Sequence, residues 1–177
     1  KPIDYSTFAF QKNTSLLIEF IRDLEAGREF QPIKQVSQLS TYWPRLNTPV
    51  NGLIDWSWSL TEIEQFICAF DKPYQGASTL VNDQRVYLKD CFSDYAFGTF
   101  HPFQSGIVLK KTLGALHVAT RQGILGVNDA RDEAGNPMLQ RIRLGDRFHT
   151  PADLLDRART YRPVYTADGL QEPDGSA

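Results

Sequence analysis

A chain of 177 residues, 41% hydrophobic and 23% charged, has the composition of one globular domain, or of a small domain plus a piece of another, and excludes a disordered or fibrous protein. The net charge is −2 and is spread evenly: residues 1–72 carry 7 basic and 9 acidic side chains and residues 73–177 carry 12 of each, so no concentrated basic face for a polyphosphate backbone is called for. No apolar run is long enough to cross a bilayer, residues 1–10 lack a signal-peptide layout, and Cys68 and Cys91 are too few for a disulfide framework and lack metal-ligand spacing, which predicts a cytoplasmic protein with two buried thiols and no membrane partner.

Residues 3–10 alternate loosely, with Ile3, Tyr5 and Phe8 or Phe10 able to face a core, and predict a strand. Asn13 or Thr14 can cap a helix over 14–26, whose apolar face is Leu16, Leu17, Phe20, Ile21 and Leu24 and whose stop is Gly27. Residues 28–55 have weak periodicity and hold Pro32, Pro44 and Pro49. They read as a connector with a turn at 48–52, pinned to a neighbour by Tyr42 and Trp43. Ser59-Leu60-Thr61-Glu62 is a capping box. It opens a helix over 59–71 with Leu60, Ile63, Phe66, Ile67 and Phe70 on one face.

After Pro73 come six short β-rich runs: STLV, RVYLKDC, GIVLKK, LHVAT, ILGVNDA and MLQRIRL. Turn residues separate them, which predicts a small barrel or sandwich. Thr150 as N-cap and Pro151 at the first helical position predict a last helix with Leu154, Leu155, Ala158 and Tyr161 buried. Residues 167–177 read as a frayed tail.

Residue by residue, the chemistry is thin. His101, His117 and His149 lie far apart and suit structural or surface roles. Cys68 sits beside a helix stripe with no histidine near it in sequence. The carboxylate groups Glu62/Glu64, Asp129/Asp132/Glu133 and Asp153/Asp156 suit capping and solvation. Lys110-Lys111 and the alternating Arg141 and Arg143 on one strand face form at most a small basic patch. No phosphate-binding glycine loop and no nucleophile elbow occurs.

Residues 52–79, GLIDWSWSLTEIEQFICAFDKPYQGAST, are more specific. Ile54-Asp55-Trp56, the capped helix and Pro73-Tyr74-Gln75-Gly76-Ala77 together resemble the junction segment of the formyltransferase family. Thr41-Tyr42-Trp43-Pro44 resembles the family's connector, and Gly145-Asp146-Arg147-Phe148 with Thr150-Pro151 resembles the end of its C-terminal barrel.

The resemblance implies an α+β chain. Residues 1–27 would be the C-terminal remnant (strand and helix) of a Rossmann-like catalytic domain, and 28–73 a connector. Residues 74–162 would form an OB-like barrel with its terminal helix, and 163–177 a tail. It implies transfer of a formyl group from 10-formyltetrahydrofolate to an amine, the donor being bound by an N-terminal catalytic domain that would be this chain's partner. The family's catalytic Asn and His stand two apart, and no asparagine here is followed by His at that spacing. No catalytic, cofactor-binding or metal residue is therefore carried over, and the chain is expected to be inactive alone. The neutral C-terminal part favours a small-molecule amine, such as an amino sugar nucleotide, over tRNA. Two other readings stand beside it: a stand-alone OB-like module for nucleic acid or protein, and an independent enzyme using Cys68, His101 or His117.

Overall fold

The computed structural model describes residues 1–43, 46–167 and 169–171. They fall into two compact units, residues 3–45 and residues 46–177 together with 1–2.

The smaller unit is mostly one helix, α1 (Pro2–Glu25). The strand expected at 3–10 is absent, and Thr14 caps nothing. Between Pro2 and Gly27 no glycine or proline interrupts the chain, and Ile3, Phe10, Leu17 and Leu24 recur every seven residues, so one helical face runs through the whole stretch. The hydroxyls of Thr7, Thr14 and Ser15 donate back to the carbonyls of Ile3, Phe10 and Gln11 at 2.9, 2.9 and 3.0 Å, a helical habit of Ser and Thr. Gly27 closes the helix at φ +69°. No residue of α1 is buried. The following segment holds one short 3₁₀ turn at Ser37–Leu39, and Phe30 packs on Phe20 with centroids 4.8 Å apart. Tyr42 and Trp43, expected to pin the connector, are 85% and 83% exposed.

The larger unit opens on a single turn, α2 (Thr48–Asn51), and the capped helix α3 (Leu60–Ala69). The capping box forms as its sequence requires: Ser59 Oγ accepts from the amide of Glu62, and the Glu62 carboxylate accepts from the amide of Ser59 at 2.8 Å. Six strands follow: β1 (Ala77–Val81), β2 (Gln84–Asp94), β3 (Val108–Lys111), β4 (Leu116–Thr120), β5 (Gly123–Arg131) and β6 (Phe148–His149). All neighbours are antiparallel, in the order β3-β4-β5-β2-β1-β6. The two edges of this sheet meet. Phe148 N donates to Gly106 O at 2.8 Å, Val108 N to Asp146 O at 2.9 Å, and Ile107 bridges Arg147. The sheet therefore curls into an OB-like barrel, which satisfies edge groups that would otherwise face solvent unpaired.

The core fills that curl. Leu60, Ile63 and Ile67 from α3, with Phe70 just after it, meet Val86, Leu88, Leu116, Val118, Leu125 and Val127 from the strands, all buried. The helix is the barrel's plug: its apolar stripe recurs at three and four residues, and those of the strands at two.

Three expectations for the C-terminal part change. Residues 138–144 form turns, not a strand. Met138 and Ile142, four apart, are the buried pair, and Lys111 Nζ binds the carbonyls of Gln140 and Ile142 at 2.9 and 3.0 Å where a neighbouring strand would have stood. Arg141 and Arg143 thus share no strand face. The last helix, α4 (Ala152–Thr160), has Pro151 at its N-cap, while the Thr150 hydroxyl turns inward to Thr79 Oγ1 at 3.2 Å. Ala158 is its buried residue, with Leu154, Leu155 and Tyr161 half-buried. Finally, part of the expected tail is ordered as a hairpin, β7 (Val164–Thr166) with β8 (Gly169–Gln171); the rest, 172–177, lies outside the described residues.

Candidate functional site

The residues that carried the family resemblance act as fasteners. Ile54 is fully buried, and the Trp56 indole stacks on Phe148 with centroids 5.6 Å apart while its Nε1 donates to Thr79 Oγ1 at 2.9 Å. Asp55, 8% exposed, accepts from the Ser57 amide and hydroxyl at 2.9 and 2.6 Å and from Arg159 Nη2 at 2.9 Å. The motif thereby ties the segment before α3 to the barrel wall and to α4.

Asp71, 1% exposed, does the same at the other end of α3. Its carboxylate meets Lys1 Nζ at 2.9 Å and accepts from the amides of Lys72 and Asp90 at 2.6 and 3.1 Å. Burial pushes its pKa up, but these hydrogen bonds outweigh burial and hold it below the ordinary carboxylate value. A depressed folded-state pKa stabilises the fold above the unfolded value, about pH 3.9, and that contribution disappears as pH falls through the folded value. Asp71→Asn is expected to lose about 1–2 kcal/mol near neutrality and to flatten the fall in stability below about pH 4. Urea titrations of both proteins across that range check this; a variant whose pH profile ran parallel to the parent's would contradict it.

The histidines do not converge. His101 caps the 3₁₀ turn Pro102–Gln104 through Nδ1, accepting from Phe103 N at 3.2 Å. His117 stands on β4 edge-on to Phe92, with centroids 6.3 Å apart, and His149 is exposed on β6. Phe92, Gly126, His117 and Lys110 occupy paired register positions across four strands, and the Phe92 ring covers Gly126 so closely that a Cβ there would lie 2.2 Å from it. Lys111 is spent on backbone carbonyls, so the Lys110-Lys111 pair makes no patch.

Neither cysteine is poised as a nucleophile. Burial pushes the Cys91 thiol well above its ordinary pKa, and the nearby Cys68, Asp71, Asp90 and Glu64 push the same way. Cys68 is raised too, by burial and then by Glu64 and Asp71. Both are free thiols, half-buried rather than fully so.

The carboxylates are engaged structurally. Glu62 caps α3, Glu64 accepts from Ser93 Oγ, Asp129 pairs with Arg131 at 2.9 Å, and Asp132 accepts from the Asn136 amide at 2.8 Å. Among the described residues no group of three His, Cys, Asp or Glu could hold a metal ion, and no helix is long and apolar enough to cross a membrane. No Asn-X-His pair occurs in the sequence and, among the described residues, no histidine is paired with a carboxylate, so no step of formyl transfer is assigned to these side chains.

One concave feature escaped the sequence. A 200 Å³ cleft, lined largely by apolar side chains with Arg85 and Arg157 among them, lies between α2, β1 and α4. Its residues come from four separated stretches of chain, and no local pattern announces it.

The family model for the formyl transferase C-terminal domain matches residues 47–142. A curated methionyl-tRNA formyltransferase from Dechloromonas aromatica (strain RCB) is 28% identical over 144 residues, covering 77% of this chain and 43% of its own length. The chain thus spans less than half of that relative. The crystal structure of HypX from Aquifex aeolicus in complex with tetrahydrofolic acid has 20% identity over 89% of this chain and 26% of its own, with a TM-score of 0.49. A variant of the same protein has 22% identity over 66% of this chain and 19% of its own, at 0.48. Those two likenesses are too loose to bear on function. The match to the family model covers more than half of the chain, and it falls on the barrel and on the segment that fastens it. This protein belongs to the formyl transferase C-terminal domain family.

Proposed function

We propose that the chain is the accessory C-terminal part of a 10-formyltetrahydrofolate-dependent formyltransferase, which N-formylates an amine and carries its catalytic residues in a separate Rossmann-like domain. The observation that carries the reading is the family match over residues 47–142, combined with histidines that do not converge and with Glu62, Glu64, Asp129 and Asp132 engaged in capping and local hydrogen bonds. Residues 1–27 are the end of the catalytic domain in this reading, and 28–73 the connector. The ten apolar side chains of α1 are 43–74% exposed, a stripe suited to burial against that domain.

The acceptor favoured is a small-molecule amine, such as an amino sugar nucleotide. Its support is electrostatic: residues 73–177 carry 12 basic and 12 acidic side chains, and the arginines expected to share a strand face do not. A tRNA acceptor is the second reading, favoured by the curated relative's name. The two part in a filter-binding assay with bulk tRNA. With few phosphates neutralised, the small-molecule reading expects weak retention at low salt and a shallow dependence on salt. Tight retention that falls steeply with salt would establish the tRNA reading instead.

A further inference from the structure

The cleft between α2, β1 and α4 lies wholly within the larger unit. Its walls are fixed in advance. Asn51 Nδ2 donates to Ala158 O at 2.8 Å and so holds α2 against α4. Arg85 donates to the Pro49 carbonyl and, at 3.0 Å, to Ser78 Oγ, which holds the other side. Leu53, bridged to Ser78 of β1, is another wall. Sites that need no rearrangement bind with less loss of freedom.

The lining is apolar, chiefly Val50, Leu53, Leu80 and Leu154, with the exceptions of Arg85 and Arg157; no carboxylate is among the described lining residues. Arg157 is the unusual member. Its neighbour on the helix, Arg159, is paired with both Asp55 and Asp156 at 2.9 and 3.1 Å. The Arg157 guanidinium makes no ion pair and no side-chain hydrogen bond among the described residues. An unpaired guanidinium beside an apolar wall is the complement of an anion with an apolar body.

We propose that this cleft binds a small monocarboxylate whose body is a branched aliphatic chain or a single aromatic ring, with the carboxylate held by Arg157. A volume of 200 Å³ lies below that of sites for drug-sized ligands and suits about ten non-hydrogen atoms. The guanidinium fork takes the two carboxylate oxygens, and the leucine and valine side chains take the body. The site is separate from any formyl transfer and holds whatever the acceptor is.

Phenylacetate is the probe, titrated into the isotope-labelled full chain and followed by amide chemical shifts. The expected result is saturable change confined to the residues of the cleft, with a dissociation constant on the order of a millimolar. Phenylacetamide, equal in shape but uncharged, should bind at least about tenfold more weakly, and Arg157→Gln should weaken phenylacetate by a similar factor. Arg157→Lys keeps the charge but not the fork and should fall between. No saturable change, equal binding of the amide, or unaltered binding by Arg157→Gln would each overturn the proposal. Melting curves that leave the Gln and Lys variants folded keep a loss of binding attributable to the cleft.

Discussion

Replacing Gly106 by alanine is expected to destabilise the barrel by about 4 kcal/mol, most of the margin of a domain at the low end of the ordinary range of about 5–15 kcal/mol. Two costs add. Gly106 has φ +86°, a conformation that costs an L-residue about 1–2 kcal/mol. A Cβ at that position would also stand 2.1 Å from the Phe148 carbonyl oxygen, a backbone atom of β6 that cannot swing aside. The Gly106 carbonyl accepts from Phe148 N at 2.8 Å and its amide donates to Ala119 O at 2.9 Å, so the clash falls on the bonds that bring the two sheet edges together. Denaturant titration of Gly106→Ala checks this. Gly114→Ala is the control, since no heavy atom lies within 4 Å of a Cβ there, and it should change stability by less than about 0.5 kcal/mol. Equal stability of the two variants would mean that the sheet edges do not meet as described.

The second large effect is expected at Trp56. Trp56→Ala removes an indole that is 8% exposed and stacked on Phe148 at 7° between ring planes, and should cost about 3–5 kcal/mol. Trp56→Phe should keep most of the packing but lose the Nε1 donor to Thr79 Oγ1, for about 1 kcal/mol. That hydroxyl also bonds the His149 carbonyl at 3.1 Å and the Thr150 hydroxyl at 3.2 Å, so the indole closes a buried polar network spanning β1 and the end of β6. Calorimetric melts of the three proteins separate the two contributions. Near-parental stability of Trp56→Ala would remove the segment before α3 from the load the barrel depends on.

Much of the larger unit was legible in the chain because its signals are local. The capping box at Ser59 and Glu62 needs only a spacing of three. The runs that form β1 to β5 need only a β-rich composition with turn residues between them. The errors arose where local and distant forces compete. Residues 3–10 satisfy a strand pattern over eight positions and a helix pattern over twenty-four, and only the seven-residue recurrence through Leu24 separates the two. MLQRIRL has the composition of a strand, but Lys111, nearly thirty residues earlier, takes its carbonyls and leaves it as turns. Thr150 is a good cap by type and is drawn inward by Thr79, seventy-one residues away. The Asp55–Arg159 pair spans 104 residues and no pattern announces it, though a buried-looking Asp between Ile54 and Trp56 was a hint that a partner must exist.

The family was legible only through the motif likeness, and the reason is physical. Under the proposed function, a barrel that supports a reaction carried out elsewhere needs packing and a docking face, and neither leaves a catalytic spacing in the sequence.

The most direct test supplies residues 1–177, alone and joined to the Rossmann-like domain that the proposed function requires, with 10-formyltetrahydrofolate and a panel of amines, while loss of the formyl donor is followed by absorbance. The joined protein is expected to consume the donor with at least one amine, and residues 1–177 alone are not. Consumption by residues 1–177 alone, abolished by replacing Cys68, His101 or His117, would contradict the proposed function.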